Sequence, residues 1–282
     1  SPVGDLLWVS RFDAFNNSYD DAYSLVVDKE KNVYVTGIGT SSSTGYDIFT
    51  IKYNSNGSQM WRSRFNGPAS SDDYPSSIIL DKEGFLYLVG TSVGRGTGKD
   101  IITIKLNPVT GSEIWNFRSN YLANNDDIGT SITTNNINSI YVGGNSQDMM
   151  GKQGILLVKY TTAGTTDQLW SARIGGPGIS FDRPNRILSD ENGGLIIGGA
   201  SIDPATGEDF TVLEYSSDGV MLKQTRFNSL YNYDDDLVSM VKDKSGNLYL
   251  AGTIYSRIFS CDYGIVKYSS DRKKEWEKYF NG

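Results

Sequence analysis

Short bursts of apolar and β-branched residues, each about one strand long, alternate with polar clusters from end to end of the chain. NVYVTG (32–37) returns as FLYLVG (85–90), SIYVGG (139–144), GLIIGG (194–199) and NLYLAG (247–252). The closing glycines, Gly37, Gly90, Gly144, Gly199 and Gly252, fall 53, 54, 55 and 53 residues apart. Each repeat runs through the same order. An acidic step leads into an apolar segment such as AYSLVVD (22–28), then a tight turn, the Tyr-bearing segment and a Ser/Gly-rich loop. DIFTIKYN (47–54) or its counterpart follows, then a second turn and a Trp segment such as QMWRSRF (59–65). Gly, Asn and Asp punctuate these segments, as they do between strands. No apolar period of 3.6 residues persists for the length of a helix.

Four strands per repeat, apolar on both faces and recurring at about 54 residues, predict the four-stranded antiparallel blades of a β-propeller. The expected fold is all-β with five blades, the alternative being part of a six- or seven-bladed propeller. The whole of 1–282 reads as a single propeller domain. Its repeats run approximately over 13–66, 67–120, 121–175, 176–228 and 229–282, with 1–12 as an extra outer strand able to close the ring.

Composition narrows the function classes. A net charge of −7 opposes nucleic-acid binding, which needs a basic field. No run of 18 apolar residues exists, so no transmembrane segment is expected, and the start at Ser-Pro-Val-Gly shows no apolar leader. Histidine is absent, which removes Ser/His and Cys/His nucleophile pairs and His-ligated metals. One cysteine, Cys261, can form neither an internal disulfide nor a thiolate zinc site.

The segments Asp28–Gly37 with Asp47–Trp61, and Asp243–Gly252 with Asp262–Tyr268 and Trp276, resemble the bacterial β-propeller repeats called SBBP repeats, in register over essentially the whole chain. The third and fourth repeats depart from the pattern: Gly154 replaces an Asp, Ile196 a Tyr and Glu214 a Lys. The resemblance implies an exported protein, extracellular, periplasmic or on the bacterial cell surface, with no general enzymatic activity and no catalytic residues.

Trp8, Trp61, Trp115, Trp170 and Trp276 mark one slot of the repeat, with Lys223 in the fourth copy, and are read as packing between blades. Each ring buries roughly 150–250 Å², on the order of 4–6 kcal/mol as an upper bound. Arg11, Arg64, Arg118, Arg173 and Arg226 each precede an aspartate by nine positions: Asp20, Asp73, Asp127, Asp182 and Asp235. A two-residue turn at 54–57 places Arg64 directly opposite Asp47, and the same arithmetic sets Arg118 against Asp100 and Arg226 against Asp209. The nine-residue link carries the chain to the next blade, so each Arg is expected to clamp the following Asp as well. Tyr279 takes the Arg slot of the last repeat. If 6–12 pairs with 262–268, Arg11 supplies the missing Arg and closes the ring.

Crossover loops and Ser/Gly loops share one rim, and there the repeats diverge. The crossover loops offer Phe15, Asn17, Tyr19, Tyr74, Tyr121, Phe181, Tyr231 and Tyr233; the others offer Tyr46, Met149, Met150 and Tyr255. Aromatics among Asn, Ser and Gly suit an adaptable binding surface. The leading expectation is a non-catalytic, monomeric scaffold for a protein or glycan partner, without a cofactor. The alternative is a glycoside hydrolase using rim carboxylates: the five entrance aspartates, or Asp148, Asp203 and Glu208. The acidic clusters at 124–127 and 234–236 show no Ca²⁺ loop pattern and read as a solvated rim, so no metal is expected.

Overall fold

A computed structural model describes residues 4–15, 19–121, 124–135, 137–151, 153–162, 168–174, 181–190, 192–203, 205–229, 232–257 and 260–280. Its regular elements are twenty strands in five four-stranded antiparallel sheets, the blades of a β-propeller. Blade 1 is β1 (Asp20–Val27), β2 (Val33–Ser41), β3 (Gly45–Tyr53) and β4 (Gln59–Phe65). Blade 2 is β5 (Asp73–Leu80), β6 (Leu86–Gly94), β7 (Gly98–Leu106) and β8 (Glu113–Ser119). Blade 3 is β9 (Asp127–Thr134), β10 (Ser139–Gln147), β11 (Gln153–Thr161) and β12 (Gln168–Ile174). Blade 4 is β13 (Phe181–Ser189), β14 (Leu195–Asp203), β15 (Gly207–Tyr215) and β16 (Met221–Phe227). Blade 5 is β17 (Asp235–Lys242), β18 (Leu248–Arg257), β19 (Ser260–Tyr268) and β20 (Lys274–Phe280). Within each sheet the strands lie in chain order. No helix among the described residues is long and apolar enough to cross a membrane.

The chain forms two compact units, 1–132 and 133–282. The core of the first joins Tyr34, Ile48 and Trp61 of blade 1 to Ile78, Leu86 and Ile104 of blade 2. In the second, Tyr141 and Ile155 pack with Ile187 and Leu213, while Phe210 and Phe227 pack with Leu237 and Met240. Bulges in the inner strands add polar staples between blades. Ser76, at the bulge between Pro75 and Ser77, donates to the Gly129 carbonyl at 2.6 Å, and Asn185 donates to the Leu237 carbonyl.

The hairpin register departs from the two-residue-turn expectation. Gly57 takes φ 79° and donates to the Asn54 carbonyl, while the Asn54 amide donates to the Ser58 carbonyl, so the loop holds three residues. A further shift between Lys52 and Tyr53 completes a two-residue offset, and Arg64 stands opposite Phe49 rather than Asp47. Arg118 likewise faces Ile102, and Arg226 faces Thr211. The ion pairs survive on the diagonal, where long side chains still reach: Arg64–Asp47 at 2.7 Å, Arg118–Asp100 at 2.8 Å and Arg226–Asp209 at 3.0 Å.

That same offset aligns a cross-strand row in four blades: Tyr34–Lys52–Trp61, Tyr87–Lys105–Trp115, Tyr141–Lys159–Trp170 and Tyr249–Lys267–Trp276. The lysine lies over the tyrosine ring at 5.0–5.6 Å. Trp61 then reaches the next blade, donating from Nε1 to the Pro108 carbonyl at 3.1 Å, with its indole seated on Gly111. Packing therefore accounts for Trp61 and Trp115, while Trp276 is 39% exposed.

Trp8 corrects the closure expectation. Residues 4–12 form no strand, and β19 has β18 on one edge and β20 on the other, with Tyr279 opposite Gly264. Trp8 instead donates to the Ser55 carbonyl at 3.1 Å and seats on Gly57. It stands to blade 1 as Trp61 stands to blade 2. The N-terminal segment carries a Trp-strand sequence because it fills the docking position that an outer strand fills elsewhere.

Candidate functional site

The crossover loops owe their shape to the entrance aspartates. Asp73 Oδ2 accepts the Gly67 amide at 2.6 Å, Asp127 Oδ2 the Tyr121 amide at 2.7 Å, and Asp235 Oδ2 the Ser229 amide at 2.7 Å. Asp20 accepts the Ala14 amide at 3.4 Å. Three of these loops also hold a non-glycine residue at positive φ three positions before the aspartate: Ser70, Asn124 and Asn232. The nine-residue spacing thus measures a closed loop. The expected Arg clamp on the following Asp is not formed by Arg64, Arg118 or Arg226, whose carboxylate partners are Asp47, Asp100, and Asp209 with Asp203. Outer and inner strands lie too far apart for a direct bond. Arg11 is exposed on the strandless N-terminal segment. The side chains of Trp170, Arg173, Phe181 and Asp182 lie outside the described residues, as do Asn17 and Tyr231 entirely.

The preceding aspartates have a separate task that sequence reasoning missed. Asp72 Oδ1 accepts the Tyr46 amide at 3.0 Å, Asp126 Oδ1 that of Lys99 at 3.0 Å, and Asp234 Oδ1 that of Glu208 at 2.9 Å. In each case the acceptor reaches the first residues of the third strand of the blade before, where the Ser/Gly loop ends. The recurring Asp-Asp pair was the available signal: one carboxylate ties the loop to its neighbour, the other closes the loop itself. Among the described residues no three acidic or Cys side chains gather as a metal site.

Three of the entrance carboxylates are unsuited to attacking or protonating a substrate. Asp73, Asp127 and Asp235 are fully buried. Burial pushes the Asp73 carboxyl up, with the Asp47 charge adding to it, against hydrogen bonds from Ser92 and Gly67 and the Arg118 charge. Burial likewise raises Asp235 to about 6, opposed by the Ser229 hydrogen bonds and reinforced by Asp209. A glycosidase carboxylate must touch its substrate, and these face protein.

Three tyrosines cluster at the rim of the first unit. Tyr19 and Tyr46 have ring centroids 6.2 Å apart at a steep angle, and Tyr46 and Tyr74 lie 5.5 Å apart. Tyr19 is 61% exposed. Burial and then Asp72, to which its hydroxyl donates at 3.3 Å, push the Tyr74 phenol up to about 12. The rings come from the crossover loop before β1 and from the starts of β3 and β5; Asp72 holds Tyr46 and Tyr74, while Thr40 donates from its amide and hydroxyl to the Tyr19 carbonyl. Phe15 is a loop foot: it packs on Phe49 at 6.0 Å beneath the Arg64 guanidinium. Tyr121 is half-buried. The second unit exposes Tyr233, Tyr255, Met149 and Met150.

An apolar depression of about 370 Å³ lies on blade 1, lined by Trp8, Phe12, Leu25, Phe49, Ile51 and Tyr53 among others. Leu25, Phe49 and Ile51 correspond to Ile78, Ile102 and Ile104, which in blade 2 are covered by blade 1. Its walls are a blade-packing face.

Neither a known sequence family nor a curated protein matches the chain. Solved structures do. A protein of unknown function from Dyadobacter fermentans is similar with TM-score 0.60 at 8% identity, covering 95% of this chain and 85% of its own. A PL25 ulvan lyase, a polysaccharide lyase bound to -[GlcA(1-4)Rha3S]-, is similar at 0.52 and 10%, covering 90% and 69%. A subtype N11 neuraminidase-like protein from a flat-faced bat is similar at 0.50 and 12%, covering 91% and 72%. At such identities the likeness is one of fold, and the fold is the β-propeller.

Proposed function

We propose that this chain is a non-catalytic binding scaffold that engages a protein or glycan through the tyrosines of its loop rim. The observation that carries this reading is the contiguous Tyr19–Tyr46–Tyr74 group at the rim, where Asp72 anchors Tyr46 and Tyr74 and Asp73 closes the loop before β5. Tyrosine offers large contact area with two side-chain torsions to order, and loops on a rigid sheet scaffold commonly carry recognition. The resemblance to SBBP repeats supports placing the protein outside the cytoplasm. The test is an array of oligosaccharides and surface proteins probed with the wild type and with Tyr19→Ser and Tyr46→Ser. Binding that falls at least tenfold in both variants at unchanged Tm supports the reading. Equal binding by the variants, or turnover of any bound oligosaccharide, overturns it.

A further inference from the structure

The fourth blade replaces the row that its neighbours share. Where the other blades align Tyr, Lys and Trp, blade 4 aligns Ile196, Glu214 and Lys223. The next turn changes with it. Gly57 and Gly111 sit at positive φ beneath Trp8 and Trp61, where a Cβ would come within 2.6 Å of the indole. Arg272 holds the corresponding place in the turn of blade 5, at φ 63° and with its amide donating to the Ser269 carbonyl. Its guanidinium meets Glu214 with both Nε–Oε1 and Nη2–Oε2 at 2.9 Å.

Beside that pair opens a cavity of about 420 Å³, lined by Asp190, Leu195, Ile196, Tyr215, Lys242 and Arg272 among others. In blades 1, 2 and 5 the equivalent space is bridged by a tyrosine. Its hydroxyl donates to an aspartate of the tight turn: Tyr34 to Asp28 at 3.0 Å, Tyr87 to Asp81 at 3.1 Å, Tyr249 to Asp243 at 3.4 Å. Asp190 is the fourth blade's copy of that aspartate. Its Oδ1 accepts the Asn192 and Gly194 amides at 2.9 and 2.7 Å, as Asp81 and Asp243 accept two amides in their own turns. Among the described residues its Oδ2 accepts no hydrogen bond, because Ile196 replaces the tyrosine and Gly194 replaces Asn32.

We infer that this cavity binds a phenolic ring, supplied by a small molecule or by a tyrosine side chain. A phenol entering beside Ile196 regains the hydroxyl, cation and apolar contacts of the internal tyrosine, though not the Trp ring that Lys223 replaces. Asp190 Oδ2 accepts the hydroxyl, the Arg272 guanidinium supplies the cation that Lys52 holds 5.0 Å from the Tyr34 ring, and Leu195 and Ile196 give an apolar floor. A ring without a hydroxyl leaves the carboxylate desolvated and unpaired, so discrimination against it is strong. This site does not depend on the tyrosine platform.

The experiment is saturation-transfer NMR titration of the intact chain with 4-methylphenol, with 4-methylanisole as the hydroxyl-blocked control and with a blocked Gly-Tyr-Gly peptide. The expected result is saturable binding of 4-methylphenol at least tenfold tighter than 4-methylanisole, lost in Ile196→Tyr, whose own ring fills the cavity. Binding of the peptide as well identifies a tyrosine side chain as a source; binding of 4-methylphenol alone identifies a free phenol. Ile196→Phe is the second variant should Ile196→Tyr not fold, and it also must abolish binding. The inference is overturned if neither phenolic probe binds, if 4-methylanisole binds equally, or if binding survives in the folded variants.

Discussion

Asp73 accepts the Gly67 amide at 2.6 Å across a loop whose Ser70 stands at φ 50°. The carboxylate is buried, and burial raises its pKa. What the loop requires is an acceptor oxygen, and the charge is a burden. Asp73→Asn keeps an acceptor and is expected to stay within about 1 kcal/mol of the wild type at pH 7. Asp73→Ala leaves the amide unpaired and is expected to lose about 1–3 kcal/mol. Denaturant titration of the two variants decides the matter: if both lose stability equally, the charge matters after all.

The pH dependence follows from Asp235. Its folded pKa of about 6 lies above the ordinary carboxyl value of 3.8. Between those values the folded chain holds more protons than the unfolded one, so this group favours folding at low pH and loses that contribution as pH rises through about 6. The span corresponds to roughly 3 kcal/mol at most. Asp28, despite its burial, and Asp243 are held low by hydrogen bonds from Asn32 and Asn247. Their contributions are present at neutral pH and are lost only in more acid solution. Stability measured from pH 4 to 7 should therefore fall less steeply with rising pH in Asp235→Asn than in the wild type. Parallel curves for the two would refute the assignment.

Much of the architecture was legible because the repeat is written in register, five times over. Four strands per repeat and the Trp slot follow from spacing, and the five sheets match the five repeats, while spacing alone left part of a six- or seven-bladed ring open. The hairpin register was not legible, since nothing in Asn54–Gly57 distinguishes a two-residue turn from a three-residue loop with Gly57 at positive φ. Nor was the N-terminal segment: LLWVSRF (6–12) has the sequence of an outer strand, and only its seat on Gly57 shows it docking without a sheet. At the rim, Tyr19, Tyr46 and Tyr74 are each visible as aromatics, but their adjacency is set by one loop and two strand starts that lie 27 and 28 positions apart in sequence. The Asp-Asp pairs look like a solvated acidic rim because their partners are backbone amides, one in the preceding blade and one in the aspartates' own loop, which carry no sequence signature.

Two glycines separate conformational strain from crowding. Gly84 and Gly111 both take positive φ, 88° and 73°. A Cβ on Gly84 meets nothing within 4 Å, while one on Gly111 comes within 2.6 Å of the Trp61 indole. Gly84→Ala is expected to lose about 1 kcal/mol from backbone strain alone. Gly111→Ala should lose about 2–4 kcal/mol, because the indole must also leave its seat. Combining Gly111→Ala with Trp61→Ala tests the cause: the double variant should lose clearly less than the sum of the two single losses.

Glu214 and Arg272 extend that logic to four positions at once. Arg272 is 8% exposed in its side chain and Glu214 20%, so each neutralises a charge the other would leave buried. Removing one partner of such a pair costs about 3–5 kcal/mol, whereas replacing the pair by well-packed groups is often neutral or stabilising. Arg272→Gly relieves the positive φ yet strands Glu214, and should destabilise. Restoring the row of the other blades, Ile196→Tyr, Glu214→Lys, Lys223→Trp and Arg272→Gly together, should return stability to the wild-type level or above it. Lys223→Trp without Arg272→Gly should be the least stable combination, because the indole and the arginine compete for one seat. Denaturant midpoints for the single, partial and quadruple variants measure the coupling, and additive effects across the four would show that the substitutions are independent.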